Sequence, residues 1–72
     1  MIGDIYRVKE DCYDDLHNIW LKRGEFLVES EGYNNETEQR EDCGDFNDLV
    51  HNEYGFICDA GSNFAKEHLV LV

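Results

Sequence analysis

Seventy-two residues make one small domain, and a chain this short buries only about 60% of the surface its unfolded form exposes, which leaves little room for a deep substrate pocket beside a core. Seventeen acids against six bases give a formal net charge of -11. That balance opposes nucleic acid and anionic membrane, where basic surfaces are needed. The apolar fraction of 42% places the chain among those that fold rather than stay disordered.

The start, Met1-Ile2-Gly3-Asp4, shows no basic n-region and no apolar h-region, so no secretory signal is read there. No apolar run approaches the roughly 20 residues of a membrane span. Three cysteines, an odd number without tight spacing, point to a cytosolic protein with free thiols. Asn35-Glu36-Thr37 matches the glycosylation sequon, and without a signal peptide the match is read as chance.

Residues Ile5 to Lys9 alternate, with Tyr6 and Val8 on one face and Ile5, Arg7 and Lys9 on the other. Period two predicts a half-buried strand. Glu10 to Asn18 reads as an acidic loop, in which Asp14 and Asp15 suit the start of one helical turn. Ile19-Trp20-Leu21 is an apolar cluster and Lys22-Arg23-Gly24 a turn. Glu25 to Glu31 is the clearest strand, with Phe26 and Val28 assigned to the core face. Gly32-Tyr33-Asn34-Asn35 breaks it. Glu36 to Asp48 is acidic and poor in apolar residues, a solvated loop or a frayed hairpin.

Leu49-Val50-His51 resumes an apolar stretch, and Asn52-Glu53-Tyr54-Gly55 signals a turn into the strand Phe56-Ile57-Cys58. Phe64 to His68 has the length of one tight helical turn, and Leu69 to Val72 closes the sheet. No internal repeat is evident. The predicted core is Tyr6, Val8, Phe26, Val28, Ile57, Leu69 and Leu71. The predicted fold is mainly β: five short strands in a bent barrel, one domain over residues 1–72, with an acidic loop or hairpin at about 33–50. Closure of the barrel would hide its sheet edges.

Gly3-Asp4-x-Tyr6-Arg7-Val8, Lys22-x-Gly24-Glu25, Gly55-Phe56 and the final turn into Leu69-x-Leu71-Val72 form a pattern that resembles the SH3-like small barrels, most closely the short ones of bacteriophage genomes. The resemblance spans the chain apart from residues 33 to 50. It implies binding through loops rather than catalysis. The chain lacks the aromatic-rich ligand motif and the Pro-Tyr pair of peptide-binding SH3 domains, so recognition of proline motifs is not implied. It also lacks the basic loops of nucleic-acid-binding barrels.

Cys12, His17, Cys43, His51, Cys58 and His68 could supply metal ligands, but no pair has the tight spacing of a zinc knuckle. Cys43 lies among Glu41, Asp42 and Asp45, where carboxylates oppose thiolate formation. The acid pairs Asp14/Asp15, Glu41/Asp42 and Asp45/Asp48 come without an oxyanion or phosphate loop. No catalytic residue, cofactor or metal is therefore expected.

The acidic stretch is the functional lead. Carboxylates on a rigid frame can occupy the basic groove of a nucleic-acid-binding enzyme by imitating a phosphate backbone, and aromatic side chains would anchor the contact. The expected partner-binding residues are Glu29, Glu31, Glu36, Glu38, Glu41, Asp42, Asp45, Asp48, Trp20 and Tyr33, with Phe46 as a further anchor. The expected partner is a protein with a basic surface, met in the cytoplasm by a monomer or weak oligomer. A small structural or self-associating module is the alternative.

Overall fold

The computed structural model describes all 72 residues, and it is mainly β. The strands are β1 (Ile5–Val8), β2 (Cys12–Asp14), β3 (Ile19–Leu21), β4 (Phe26–Ser30), β5 (Gly32–Asn34), β6 (Gln39–Glu41), β7 (Asp48–His51), β8 (Gly55–Asp59) and β9 (Leu69–Leu71). A 3₁₀ turn covers Gly44–Phe46, and one short helix, α1, covers Asn63–His68. The main sheet has five antiparallel strands in the order β8-β7-β4-β1-β9, and β2-β3 and β5-β6 are separate two-stranded hairpins.

Closure was expected and does not occur. The edges β8 and β9 share no ladder; α1 touches both instead. Its start is fixed by Ser62, whose Oγ accepts from the Ala65 amide at 3.2 Å, a hydroxyl satisfying one of the amides that a helix start leaves free.

The core is Val8, Cys12, Leu21, Leu27, Leu49, Ile57, Ala65 and Leu69. Burying one Leu or Ile side chain contributes roughly 1.5–3 kcal/mol. On β4 the expected phase is reversed. Leu27 and Glu29 face inward at 0% and 3% exposure, while Phe26 is 45% exposed and Leu71 54%. Tyr6 and Val28 are half-buried. Alternation divides a strand into two faces without saying which is buried. The face carrying a carboxylate goes inside because Asn47 and Tyr6 meet it with hydrogen-bond donors.

The segment expected to be a loop at Glu10–Asn18 enters β2 and, with Ile19–Leu21 as β3, makes a hairpin; Asp14 and Asp15 begin a turn, not a helix. Residues 32–41 repeat that hairpin. Tyr13 faces Trp20 as Tyr33 faces Arg40. Asp14 Oδ1 accepts from the Leu16 amide at 3.0 Å and Asn34 Oδ1 from the Glu36 amide at 2.9 Å. Asn18 and Glu38 both have φ of 56°. The repeat is carried by side-chain-to-backbone turns and by little shared identity, which is why the sequence conceals it. The turn at Asn52–Tyr54 is tied by His51, whose Nδ1 accepts from the amides of Glu53 (3.0 Å) and Tyr54 (3.2 Å).

Candidate functional site

The second hairpin leans on the 3₁₀ turn. A Cβ on Gly32 would run into the Phe46 carbonyl oxygen, and one on Gly61 would meet Asp45 Cβ at 2.5 Å. Two backbone segments thus approach where only glycine leaves space. Asn47, fully buried, locks the arrangement. Its Oδ1 accepts from the amides of Cys43 (2.6 Å) and Gly32 (3.3 Å), and its Nδ2 donates to Glu29 Oε2 (2.8 Å) and Asp42 Oδ1 (2.9 Å). One side chain therefore joins β4, β5 and the chain that follows β6.

Above this hub lies a cleft of about 590 Å³. Tyr33 and Phe46 stand at its sides, 49% and 72% exposed. Glu36, Asp42, Asp48 and Asp59 contribute carboxylates, and Asn34, Asn35 and Cys43 complete the lining. Asp48 and Asp59 are directly opposite on β7 and β8. Like charges in that position repel, and the one ion pair made by either is with Arg40, which donates to Asp48 Oδ2 at 2.7 Å. The same guanidinium lies 5.9 Å from the Tyr33 ring centroid. This corner already holds one guanidinium between an aromatic face and a carboxylate, a pairing that suits the flat, weakly hydrated Arg head. The Asp42 carboxyl is held below its ordinary range, first by the Asn47 amide and then by the Gly44 backbone N–H.

Of the expected partner-binding residues, the cleft gathers Tyr33, Glu36, Asp42 and Asp48. Glu31, Glu38 and Asp45 are exposed outside its lining. Glu41 is half-buried and accepts from Asn34 Nδ2 at 2.6 Å. Trp20 sits on the first hairpin, tilted against Tyr13 at 5.4 Å and beneath Lys22 at 5.6 Å. Glu29 is a correction. It is 3% exposed, enclosed by Asn47, Tyr6 and the Met1 ammonium, and beyond a partner's reach. Burial opposes its ionisation, yet the bonds from Asn47, the ammonium and Tyr6 outweigh that, and its carboxyl lies below the ordinary value. Asn34, Asn35 and Asp59 lie outside the expected site, and Cys43 is weighed there only as a metal ligand or thiol; only the Asx signature of Asn34 hints at a shaped turn.

Burial pushes the thiols of Cys12 and Cys58 up and nearby carboxylates add to it, with a smaller opposing contact from Ser62 at Cys58. His17 Nδ1 lies 2.6 Å from the buried Asp14 carboxylate, with the ring edge-on to Phe56 at 6.0 Å. The pair fastens the first hairpin's turn. No helix is long and apolar enough to cross a membrane. No family model matches the chain, and no curated protein or solved structure matches it.

Proposed function

We propose that the chain is a non-enzymatic acidic binding module that takes a basic segment of a partner protein into the cleft between its second hairpin and the 3₁₀ turn. The observation that carries this reading is the pairing of exposed aromatic walls, Tyr33 and Phe46, with four carboxylates around one concave site. Asp59 has no ion-pair partner of its own and faces Asp48 across the ladder. A lysine or arginine head would relieve that repulsion while its stem covers the rings.

In its sharper form the module is an SH3-like phage-type accessory protein that occupies the basic groove of a host nucleic-acid-binding enzyme. The order of the main strands, a meander β1-β4-β7-β8 followed by a helical segment and a return of β9 to the far side of β1, supports the family reading. Exposed Glu31, Glu36, Glu38 and Asp45 around the cleft would extend the negative field that steers such a partner. The test is a titration with an oligo-arginine peptide followed by amide chemical shifts. Shifts should concentrate at Tyr33, Glu36, Phe46, Asp48 and Asp59. Shifts scattered evenly over the acidic surface would reduce the cleft to general charge and defeat the reading.

A further inference from the structure

The side of the main sheet that faces away from the core is apolar. Ile5, Val28, Val50 and Phe56 run in one row across β1, β4, β7 and β8, each opposite the next. Phe26, Arg7 and Val70 form the adjacent row. Phe26, Phe56 and Val70 are 45%, 41% and 49% exposed. In a chain with 17 acids, neither row contains one. The row on the other side is polar: Ser30, Asp48 and Asp59. Contiguous apolar surface rimmed by charge marks an interaction site.

The charges on this face are self-complementary. Arg7 and Asp48 are two strands and four residue levels apart, about 10 Å across and about 14 Å along the sheet. Val28 lies midway, since its β4 level separates Arg7 from Asp48 equally. A two-fold axis through Val28, in the plane of the face and perpendicular to that diagonal, would bring Arg7 of one copy onto the Asp48–Asp59 corner of the other, where Arg40 already pairs with Asp48, and Asp59 is the carboxylate without an ion pair. It would do so twice, as an isologous contact must, and would bring Val28 against Val28. The strands of the two copies would cross steeply, near the orthogonal class of sheet packing.

We propose that this outer face is a self-association surface whose occupant is a second copy of the chain. The inference does not depend on the cleft reading, although Asp48 and Asp59 belong to both and a dimer would exclude a cleft-bound partner there. Five strands about 4.8 Å apart and about five residues long cover roughly 400 Å², short of the roughly 800 Å² per partner of a stable interface. The dimer is therefore weak and reversible.

The salt dependence has an uncommon sign. Two chains of net charge -11 repel, and raising salt from about 0.1 M to about 1 M shortens the Debye length from about 10 Å to about 3 Å. Dimer should increase with salt, opposite to a basic partner in the cleft. Sedimentation velocity over a concentration series at several salt levels reads this directly. Arg7→Asp should weaken dimerisation by about tenfold or more, because it sets acid against acid. The double swap Arg7→Asp with Asp59→Arg keeps the net charge and should restore it. Val28→Glu, with circular dichroism to confirm folding, provides a second test if Arg7→Asp does not fold. A chain that stays monomeric at every concentration and salt level, a folded Arg7→Asp or Val28→Glu variant that dimerises unchanged, or a folded double swap that stays monomeric would overturn the proposal.

Discussion

Asn47 and Glu29 meet at the centre of the molecule, amide Nδ2 to carboxylate Oε2 at 2.8 Å, and neither residue is more than 3% exposed. Their contact joins the five-stranded sheet to the acidic side of the protein. Asn47 holds Gly32, Cys43 and Asp42 with its other bonds, so the cleft's floor is built on a buried polar network. Such networks confer one defined arrangement when fully satisfied and are costly when a member is lost. No buried side-chain polar atom here is left without a partner.

Asn47→Ala should therefore destabilise the fold by about 3 kcal/mol or more, since each buried group left without a partner costs about 1–3 kcal/mol. Asn47→Asp should be worse at neutral pH, because a third carboxylate would face Glu29 and Asp42. Urea unfolding followed by tryptophan fluorescence reads both. An Asn47→Ala variant within about 0.5 kcal/mol of wild type, the usual range for surface changes, would show that the network does not hold the fold.

The pH dependence follows from the same carboxylates. Glu29 and Asp42 both sit below their ordinary values of 4.5 and 3.8 in the folded state. A carboxyl with a lowered folded pKa contributes stability that is complete above its unfolded pKa and lost as pH falls through the folded one. The advantage of wild type over Glu29→Gln should hold from neutral pH down to about 4.5 and narrow below it. Comparing the two proteins cancels most of the general relief of repulsion that acid brings to so negative a chain. An advantage that stays constant down to pH 2 would show that ionised Glu29 is not what stabilises.

Leu27→Ala should cost about 2–5 kcal/mol, as large-to-small changes in closed cores do. Phe26→Ala on the same strand should cost far less, because Phe26 is 45% exposed while Leu27 is fully buried. Thermal melts of the two variants check the order. If Phe26→Ala unfolds the protein more readily, the core lies on the other face.

This pair also shows how far the sequence could be read. The five strands of the main sheet, the glycine turns and the helical segment before β9 are visible from period-two alternation and from Gly and Asn, whereas the two small hairpins β2-β3 and β5-β6 are not. Nor is the inward face of β4. Alternation is symmetric, and hydrophobicity favours Phe26 and Val28 until Asn47, distant in sequence, supplies donors to Glu29. Residues 33 to 50 read as loop or hairpin because β5 (Gly32-Tyr33-Asn34) and β6 (Gln39-Arg40-Glu41) are short and polar, without apolar alternation. Their register comes from the Asx turn at Asn34 and from Arg40 over Tyr33. The acidic character of the cleft is legible and its membership only in part: Tyr33, Glu36, Asp42, Phe46 and Asp48 are among the expected residues, whereas Asp59 reaches Asp48 only through the β7-β8 ladder.

The last prediction separates the cleft's apolar and charged parts. Phe46 is 72% exposed, so Phe46→Ala should leave stability within about 0.5 kcal/mol of wild type. It should nonetheless weaken oligo-arginine binding, because an exposed ring over a cation contributes roughly 0.5–1 kcal/mol, about a two- to fivefold change in Kd. Asp59→Asn should weaken binding too and flatten its salt dependence, since one carboxylate fewer is left for screening to act on. Asp48→Asn behaves differently. It releases Arg40 from its 2.7 Å contact, leaving a resident guanidinium free to compete for the cleft, and should cost more affinity than Asp59→Asn. Isothermal titration of the three variants at two salt concentrations measures all of these effects. Equal losses for Asp48→Asn and Asp59→Asn, with none for Phe46→Ala, would mean that the peptide reads net charge alone and that the aromatic walls take no part.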